Sequence, residues 1–315
     1  MFTETFNNSQ AWTAATAGPS AGWYLDIPDE CLSSIADFLA RHKASPVELT
    51  ETRLNQSCIT DCRKFIEPAL DVLNTGRGFF LFNGVSQERF CDSEVQGIYW
   101  AIGQMLGNPF EQDLKRTLLY DVQDTGQAVT EGARFSVTNA ASSFHTDNTM
   151  GKEVPDIVGL LCLRSAKSGG QSQLISACTI YNELLKSHRQ ELETLYQNFC
   201  FDRRGLFSEG ESPVNRSPVF EWTGVELTAR YLRYYIEAGH ETVGEAMSAK
   251  QEAALDAVDS LLARPDLRVE FHLQPGEMLF VNNRRILHNR TAFEDHADVE
   301  QRRHCVRLWL SRARR

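Results

Sequence analysis

Hydrophobic and polar positions along the chain alternate at two distinct periods. Leu32, Ile35, Phe38 and Leu39 follow the helix-opening Pro28-Asp29-Glu30 and recur near every 3.6 residues, which predicts an amphipathic helix. A second helix is expected over about 61–74, bent at Pro68 and stopped by Gly76. A third runs from 86 to about 106 on Phe90, Val95, Tyr99, Ile102 and Met105. Further helices are expected at 178–187, 189–197 and 248–263. Short apolar runs bounded by turn residues read as strands at 78–82, 118–122, 157–163, 172–176, 268–273, 278–282 and 303–311. Residues 23–27 read as an edge strand, and 219–222 and 226–233 as two more, after a long polar excursion over 202–219. Residues 1 to about 22 are small and polar, punctuated by Gly18-Pro19-Ser20-Ala21-Gly22, and predict an arm that is loose or packed on the surface. Residues 123–143 are rich in Gly, Thr, Ser and Asn without a helical period, the kind of loop where substrate contacts sit.

Strands from both halves of the chain with helices outside them suggest an α+β protein with a mostly β core, a double-stranded β-helix (jelly-roll, cupin-like) flanked by helices. At 315 residues, with no linker-like stretch and no repeat, a single domain over 1–315 is expected. No apolar stretch approaches the roughly 20 residues that cross a bilayer. The start lacks the basic and apolar regions of a secretory signal. A cytoplasmic protein with no membrane partner is therefore expected. The formal net charge is -10 and the basic residues form no stripe, which argues against a nucleic-acid partner. The exception is a gathering of arginines at Arg302, Arg303, Arg307, Arg312, Arg314 and Arg315, of which the tail members read as solvated. The eight cysteines contain no Cys-x-x-Cys. They read as free, mostly buried thiols, with Cys58 and Cys62 able to share a helix face.

Candidate chemistry begins in Ser142-Ser143-Phe144-His145-Thr146-Asp147-Asn148-Thr149. In an extended segment His145 and Asp147 point to one face, so an imidazole and a carboxylate can converge on one ion. A third ligand completes the two-histidine, one-carboxylate set that leaves positions open on non-haem Fe(II). His288, within Asn282-Asn283-Arg284-Arg285-Ile286-Leu287-His288-Asn289-Arg290, is the candidate. The pair alone is weak, because His-x-Asp/Glu should occur about once by chance in this composition. A second copy, His296-Ala297-Asp298, lies in an acidic run that reads as a solvated loop and is set aside. By spacing alone, His145 reads rather as a loop histidine bonded to a nearby carboxylate. The arginines add a physical argument. On a strand, Arg303, Cys305, Arg307 and Trp309 face one way and Val306, Leu308 and Leu310 the other. Two guanidinium groups on an interior face are costly to desolvate without an anion. A carboxylate ligand would supply one. On a surface strand they would instead pair with Asp and Glu.

His145-x-Asp147, Gly169-Gly170-Gln171-Ser172, Asn-Arg before His288, and Arg303 followed by Arg307 occur in this order. Together they resemble the taurine dioxygenase/clavaminate synthase-like family of Fe(II)- and 2-oxoglutarate-dependent oxygenases, over about 78–311. The resemblance implies that His145, Asp147 and His288 ligate Fe(II). It implies that Arg303 and Ser172 hold the distal carboxylate of 2-oxoglutarate; threonine is usual at the second position, and serine keeps the hydroxyl. It gives Arg307 the other carboxylate or an acidic group on the substrate. The carboxylate of Asp147 argues against the halogenase relatives, where a small residue makes room for chloride. Asn139, with Thr138 and Phe135, is expected on the substrate side, although an Asx turn explains a loop asparagine equally well. The implied reaction consumes O2 and 2-oxoglutarate, gives succinate and CO2, and oxidises an unactivated C–H bond of a small acidic or amino-acid-like molecule. Hydroxylation is expected, with desaturation or cyclisation as alternatives. A cupin-like metal-binding protein without turnover and a zinc hydrolase remain rivals, and a homo-oligomer is compatible.

Overall fold

The computed structural model describes residues 2–43, 47–86, 88–127 and 135–312. Part of the 123–143 loop, and Arg314 and Arg315, lie outside them. The described residues contain helices α1 (Asp29–Lys43), α2 (Gln56–Asn74), α3 (Asp92–Leu106), α4 (Ala177–Ser187), α5 (Arg189–Leu195), α6 (Arg233–Val243) and α7 (Ala249–Leu262). The strands are β1 (Tyr24–Leu25), β2 (Phe79–Phe82), β3 (Asn108–Phe110), β4 (Leu119–Val122), β5 (Ile157–Arg164), β6 (Ser168–Gly169), β7 (Ser172–Ser176) and β8 (Phe199–Asp202), then β9 (Val214–Ser217), β10 (Phe220–Trp222), β11 (Leu227–Ala229), β12 (Arg268–Phe271), β13 (Met278–Asn282), β14 (Ile286–Arg290), β15 (Phe293–Glu294) and β16 (His304–Ser311).

Period-two burial builds the layers. The large sheet runs β1-β2-β13-β5-β16-β3, with β4 also on β16. On β2, Phe80 and Phe82 face outward, and on β16 so do Val306, Leu308 and Leu310; all join α1, α2 and α3 in one core. The alternate residues Phe79, Leu81, Cys305 and Trp309 face inward against Leu174, Val269 and Ile286 of a smaller sheet, β12-β7-β14. The far face of that sheet, with Ile175 and Leu287, is covered by residues of α4, α5, α6 and α7. Strands from early and late in the chain thus form two facing sheets with helices on both outer surfaces, the jelly-roll arrangement expected.

Several details differ from expectation. The arm is not loose: Trp12 is buried, its ring 5.3 Å from that of Phe79, its Nε1 donating to the Arg77 carbonyl at 2.8 Å and its carbonyl accepting from Thr179 Oγ1 at 2.5 Å. Phe6 exchanges two backbone hydrogen bonds with the Asn182 amide, at 2.9 and 2.8 Å. Cys31 and Cys62 are not free thiols but a disulfide joining α1 to α2, whose packing brings their Cα atoms to 4.9 Å. Cys58, Cys162, Cys178, Cys200 and Cys305 are free and buried, while Cys91 is free and exposed. The strand expected over 226–233 ends early and gives way to α6. The polar excursion contains the antiparallel β8–β9 pair. No described helix is long and apolar enough to cross a membrane.

Candidate active site

The three candidate ligands meet between the sheets. His145 and His288 face each other across an antiparallel bridge, with His145 N donating to the His288 carbonyl at 3.0 Å and His288 N to the His145 carbonyl at 2.9 Å. Directly opposed residues of a pair project to the same side, so the rings lie 4.5 Å apart. Two residues on from His145, Asp147 returns to that side by the strand period. Its Oδ1 is 3.3 Å from His145 Nε2 and 3.6 Å from His288 Nε2. One ligand atom from each residue lies within 4.8 Å of the others, close enough to hold one metal ion.

The surroundings suit such an ion. His145 Nδ1 sits 2.8 Å from the Ser143 carbonyl, which makes Nδ1 the donor and leaves the Nε2 lone pair for a metal. The other carboxylate oxygen, Asp147 Oδ2, accepts from Trp309 Nε1 at 2.6 Å and lies 3.4 Å from Arg307 Nη1. Asp147 is therefore held with one oxygen toward the histidines and the other tied to β16. Burial raises its pKa, but the Arg307 cation and bonding with both histidines outweigh it and hold the carboxyl well below its ordinary value. For His288, burial and the neighbouring His145 lower the pKa, so its neutral, ligating form is favoured. The backbone is fixed as firmly: the buried Asn283 side chain accepts from Asp147 N at 2.7 Å and donates to the carbonyls of Asp147 and Pro155, both at 3.0 Å. Two nitrogens, one oxygen and an open side match the donor set of a non-haem Fe(II) site.

That open side is a cavity of about 170 Å³. Its walls include Val122, Leu160, Leu232 and Tyr235, while Ser172, Arg290, Arg303 and Arg307 supply polar groups. Ser172 is buried on β7, opposite Arg290 of β14 in register. The turn that delivers it needs its glycines: Gly169 has φ +71°, and a Cβ there would stand 2.2 Å from the Ala292 carbonyl oxygen. Arg303 is 5% exposed, lies 5.3 Å over the Phe293 ring, and its buried Nη1 has no hydrogen-bond partner. A buried, unpaired guanidinium nitrogen is what a dicarboxylate would satisfy. Arg307 stacks on Trp309 at 4.7 Å and on Tyr120 at 5.1 Å, and donates through Nε to Gln112 Oε1 at 2.8 Å.

Of the residues expected from sequence, His145, Asp147, His288, Ser172, Arg303 and Arg307 all line the cavity. Asn139 does not. It is exposed, and its carbonyl accepts from Phe293 N at 3.1 Å. Phe135 and Ser142 reach the cavity from the same segment. Sequence reasoning missed the pinning role of Asn283 and the support of Gln112. It also missed Arg290, whose carbonyl accepts from Ser142 N at 3.0 Å and whose guanidinium bonds the Ala140 carbonyl. Arg290 follows His288 by two, and the strand period alone would have placed it on the cavity side.

Residues 60–309 match the family described as taurine catabolism dioxygenase TauD, TfdA. FR-33289 synthase of Streptomyces rubellomurinus is 30% identical over 307 residues, covering 95% of this chain and 88% of that protein. A uridine-5'-phosphate dioxygenase of Amycolatopsis is 27% identical over 56% of this chain and 64% of its own length. Among solved structures, an asparagine oxygenase in complex with Fe(II), hydroxyasparagine and succinate is similar with a TM-score of 0.67 at 17% identity, over 92% of this chain and 93% of the other. The non-haem iron oxygenase OrfP in complex with (3S)-hydroxy-L-Arg is similar with a TM-score of 0.66 at 14% identity, over 92% and 94%.

Proposed function

Because the chain belongs to the taurine catabolism dioxygenase TauD, TfdA family, we propose that His145 Nε2, Asp147 Oδ1 and His288 Nε2 hold its iron. The protein is a 2-oxoglutarate-dependent non-haem iron dioxygenase, with Fe(II), 2-oxoglutarate and O2 as its cofactor and co-substrates. The observation that carries the residue assignment is the convergence of these three atoms on one side of a cavity that also receives an unpaired Arg303 nitrogen.

Bound there, Fe(II) supplies activation of O2 coupled to decarboxylation of 2-oxoglutarate into succinate and CO2. The chain's own residues do the positioning. Arg303 and Ser172 take the distal carboxylate of 2-oxoglutarate, which pairs the otherwise unsatisfied guanidinium. Trp309 and Arg307 hold the second oxygen of Asp147, so that this carboxylate offers a single oxygen to the metal. Arg307 and Arg290 leave the substrate side cationic, and the apolar walls keep water from the reacting carbon. A small acidic or amino-acid-like molecule fits such a cavity, and the names of the relatives, which include an asparagine oxygenase, agree with that class. Hydroxylation of an unactivated C–H bond is the reading we adopt. Ser142 and Phe135 replace Asn139 as the substrate-side residues of the preceding loop.

The test is anaerobic titration of the protein with Fe(II) and 2-oxoglutarate. Chelation should produce a weak visible charge-transfer band. His145→Ala, Asp147→Ala and His288→Ala should each fold and lose bound iron. An Ala variant that keeps iron and turnover near wild type removes that residue from the site.

A further inference from the structure

Next to Arg303 on the inner face of the large sheet, two buried cysteines face each other. Cys162 of β5 and Cys305 of β16 are direct partners in the antiparallel register, next to a β-bulge. Cys162 donates its N–H to the Glu277 carbonyl at 3.0 Å and accepts from Gly276 N at 2.8 Å. Both its backbone groups therefore point toward β13 and away from β16. That makes Cys162–Cys305 a pair without its own ladder bonds, the closer of the two cross-strand arrangements, with Cα atoms about 4.5 Å apart. This separation lies at the near end of the range that disulfides span. Both are free thiols, and the Cys162 thiol donates to the Leu273 carbonyl at 3.5 Å.

We propose that Cys162 and Cys305 form a peroxide-sensitive, reversible thiol–disulfide site beneath the co-substrate arginine.

Three features separate this pair from the other free cysteines. A second cavity of about 340 Å³, whose lining includes both cysteines with Ser165, Gly170, His272 and Arg303, is roomy enough for a small peroxide. The environment also divides their roles. The adjoining Cys162 sulfur and the nearby Arg303 cation favour the thiolate at Cys305 against the burial that opposes it. Cys162 keeps its proton. Finally, Cys58, Cys178 and Cys200 are buried singly and Cys91 is exposed. The Cys305 thiolate attacks one oxygen of hydrogen peroxide, the O–O bond breaks, and hydroxide leaves to give the sulfenic acid. Cys162 sulfur then attacks Cys305 sulfur, the S–O bond breaks, and the thiol proton leaves with the hydroxyl as water. Each sulfur is oxidised by one electron and the peroxide is reduced by two.

The experiment uses the full chain free of metal, treated with hydrogen peroxide, alkylated after unfolding, and peptide-mapped. The expected result is a Cys162–Cys305 cross-linked peptide with the loss of two hydrogens. Dithiothreitol should restore both thiols, and Cys31–Cys62 should be unchanged by peroxide. In Cys162→Ser the link cannot form, and Cys305 should run on to the irreversible sulfinic acid. Recovery of both thiols intact while Cys91 is oxidised overturns the proposal. So does wild-type Cys305 reaching the sulfinic acid with Cys162 still a thiol. If Cys162→Ser does not fold, the wild-type map alone decides.

Discussion

Asp147 does two jobs with two oxygens, and neighbouring residues decide which oxygen does which. Oδ1 faces the histidines, whereas Oδ2 is taken by Trp309 and Arg307. The Asn283 amide fixes the same residue through its backbone. Asn283→Ala leaves the Asp147 N–H and two carbonyls buried without partners, at about 1–3 kcal/mol each. Iron affinity should fall about 10- to 100-fold, as it does when groups supporting a ligand are removed. Iron titration beside a urea unfolding curve checks both effects, and unchanged affinity would limit Asn283 to stability. The two arginines are separable in the same way. Arg303→Ala removes the partner of the co-substrate's distal carboxylate, a loss of about 2–5 kcal/mol. That corresponds to roughly 30- to several-thousand-fold in 2-oxoglutarate affinity. Ser172→Ala should cost about 1.5–3 kcal/mol. Arg307→Ala, compared in iron-loaded protein because this arginine also holds Asp147 Oδ2, should weaken binding of the primary substrate and spare 2-oxoglutarate. Equal losses of 2-oxoglutarate affinity in Arg303→Ala and Arg307→Ala would place Arg307 in the co-substrate site.

At the level of elements, close backbone approach sets what each can tolerate. Gly239 of α6 lies where a Cβ would stand 2.3 Å from the Cys200 carbonyl oxygen of β8, a backbone atom that cannot swing aside. Gly239→Ala should destabilise the protein by about 1–3 kcal/mol through overpacking. Gly22→Ala, with nothing within 4 Å and no positive φ, should be neutral in the same urea experiment. The helix α6 was also the element least visible in the sequence. Tyr231, Leu232, Tyr234, Tyr235 and Ile236 form an aromatic run of the type enriched in strands. The helix itself buries only Ile236, Gly239 and His240, and its apolar face is completed by β8. By contrast, β16 was legible residue by residue, because one face joins the core shared with the helices and the other faces the inner core and cavity, which enforces alternation. Helix α3 starts at Asp92, later than its apolar periodicity predicts. Its cap is Cys91, boxed with Glu94, and cysteine is not a residue that signals a helix start. His145, Asp147 and His288 could be found because period two and motif order speak to them locally. Asn283 and the Cys31–Cys62 bridge could not, since their roles exist only through partners far along the chain.

At the level of the molecule, helices, large sheet, inner core, small sheet and helices again form successive layers, and the arm spans them. Trp12 packs on Phe79 of the large sheet and bonds Thr179 of α4 beyond the small one. Trp12→Ala should cost about 3–5 kcal/mol, read as a lowered urea midpoint with helix and strand content retained. An unchanged midpoint would mean the arm is decoration rather than a tie. The arm's contacts also have a consequence in time. Phe6 and Trp12 meet partners at Asn182 and Thr179 that are made more than 160 residues later. At about 5–20 residues per second of synthesis, that interval is roughly ten to thirty seconds. Until α4 is made, Phe6 lacks its Asn182 partner and Trp12 its bond to Thr179, although Arg77 and Phe79 arrive sooner. An arm that ends as a seam of the finished protein thus begins as a nascent segment open to chaperones, and Trp12, made early, is buried late.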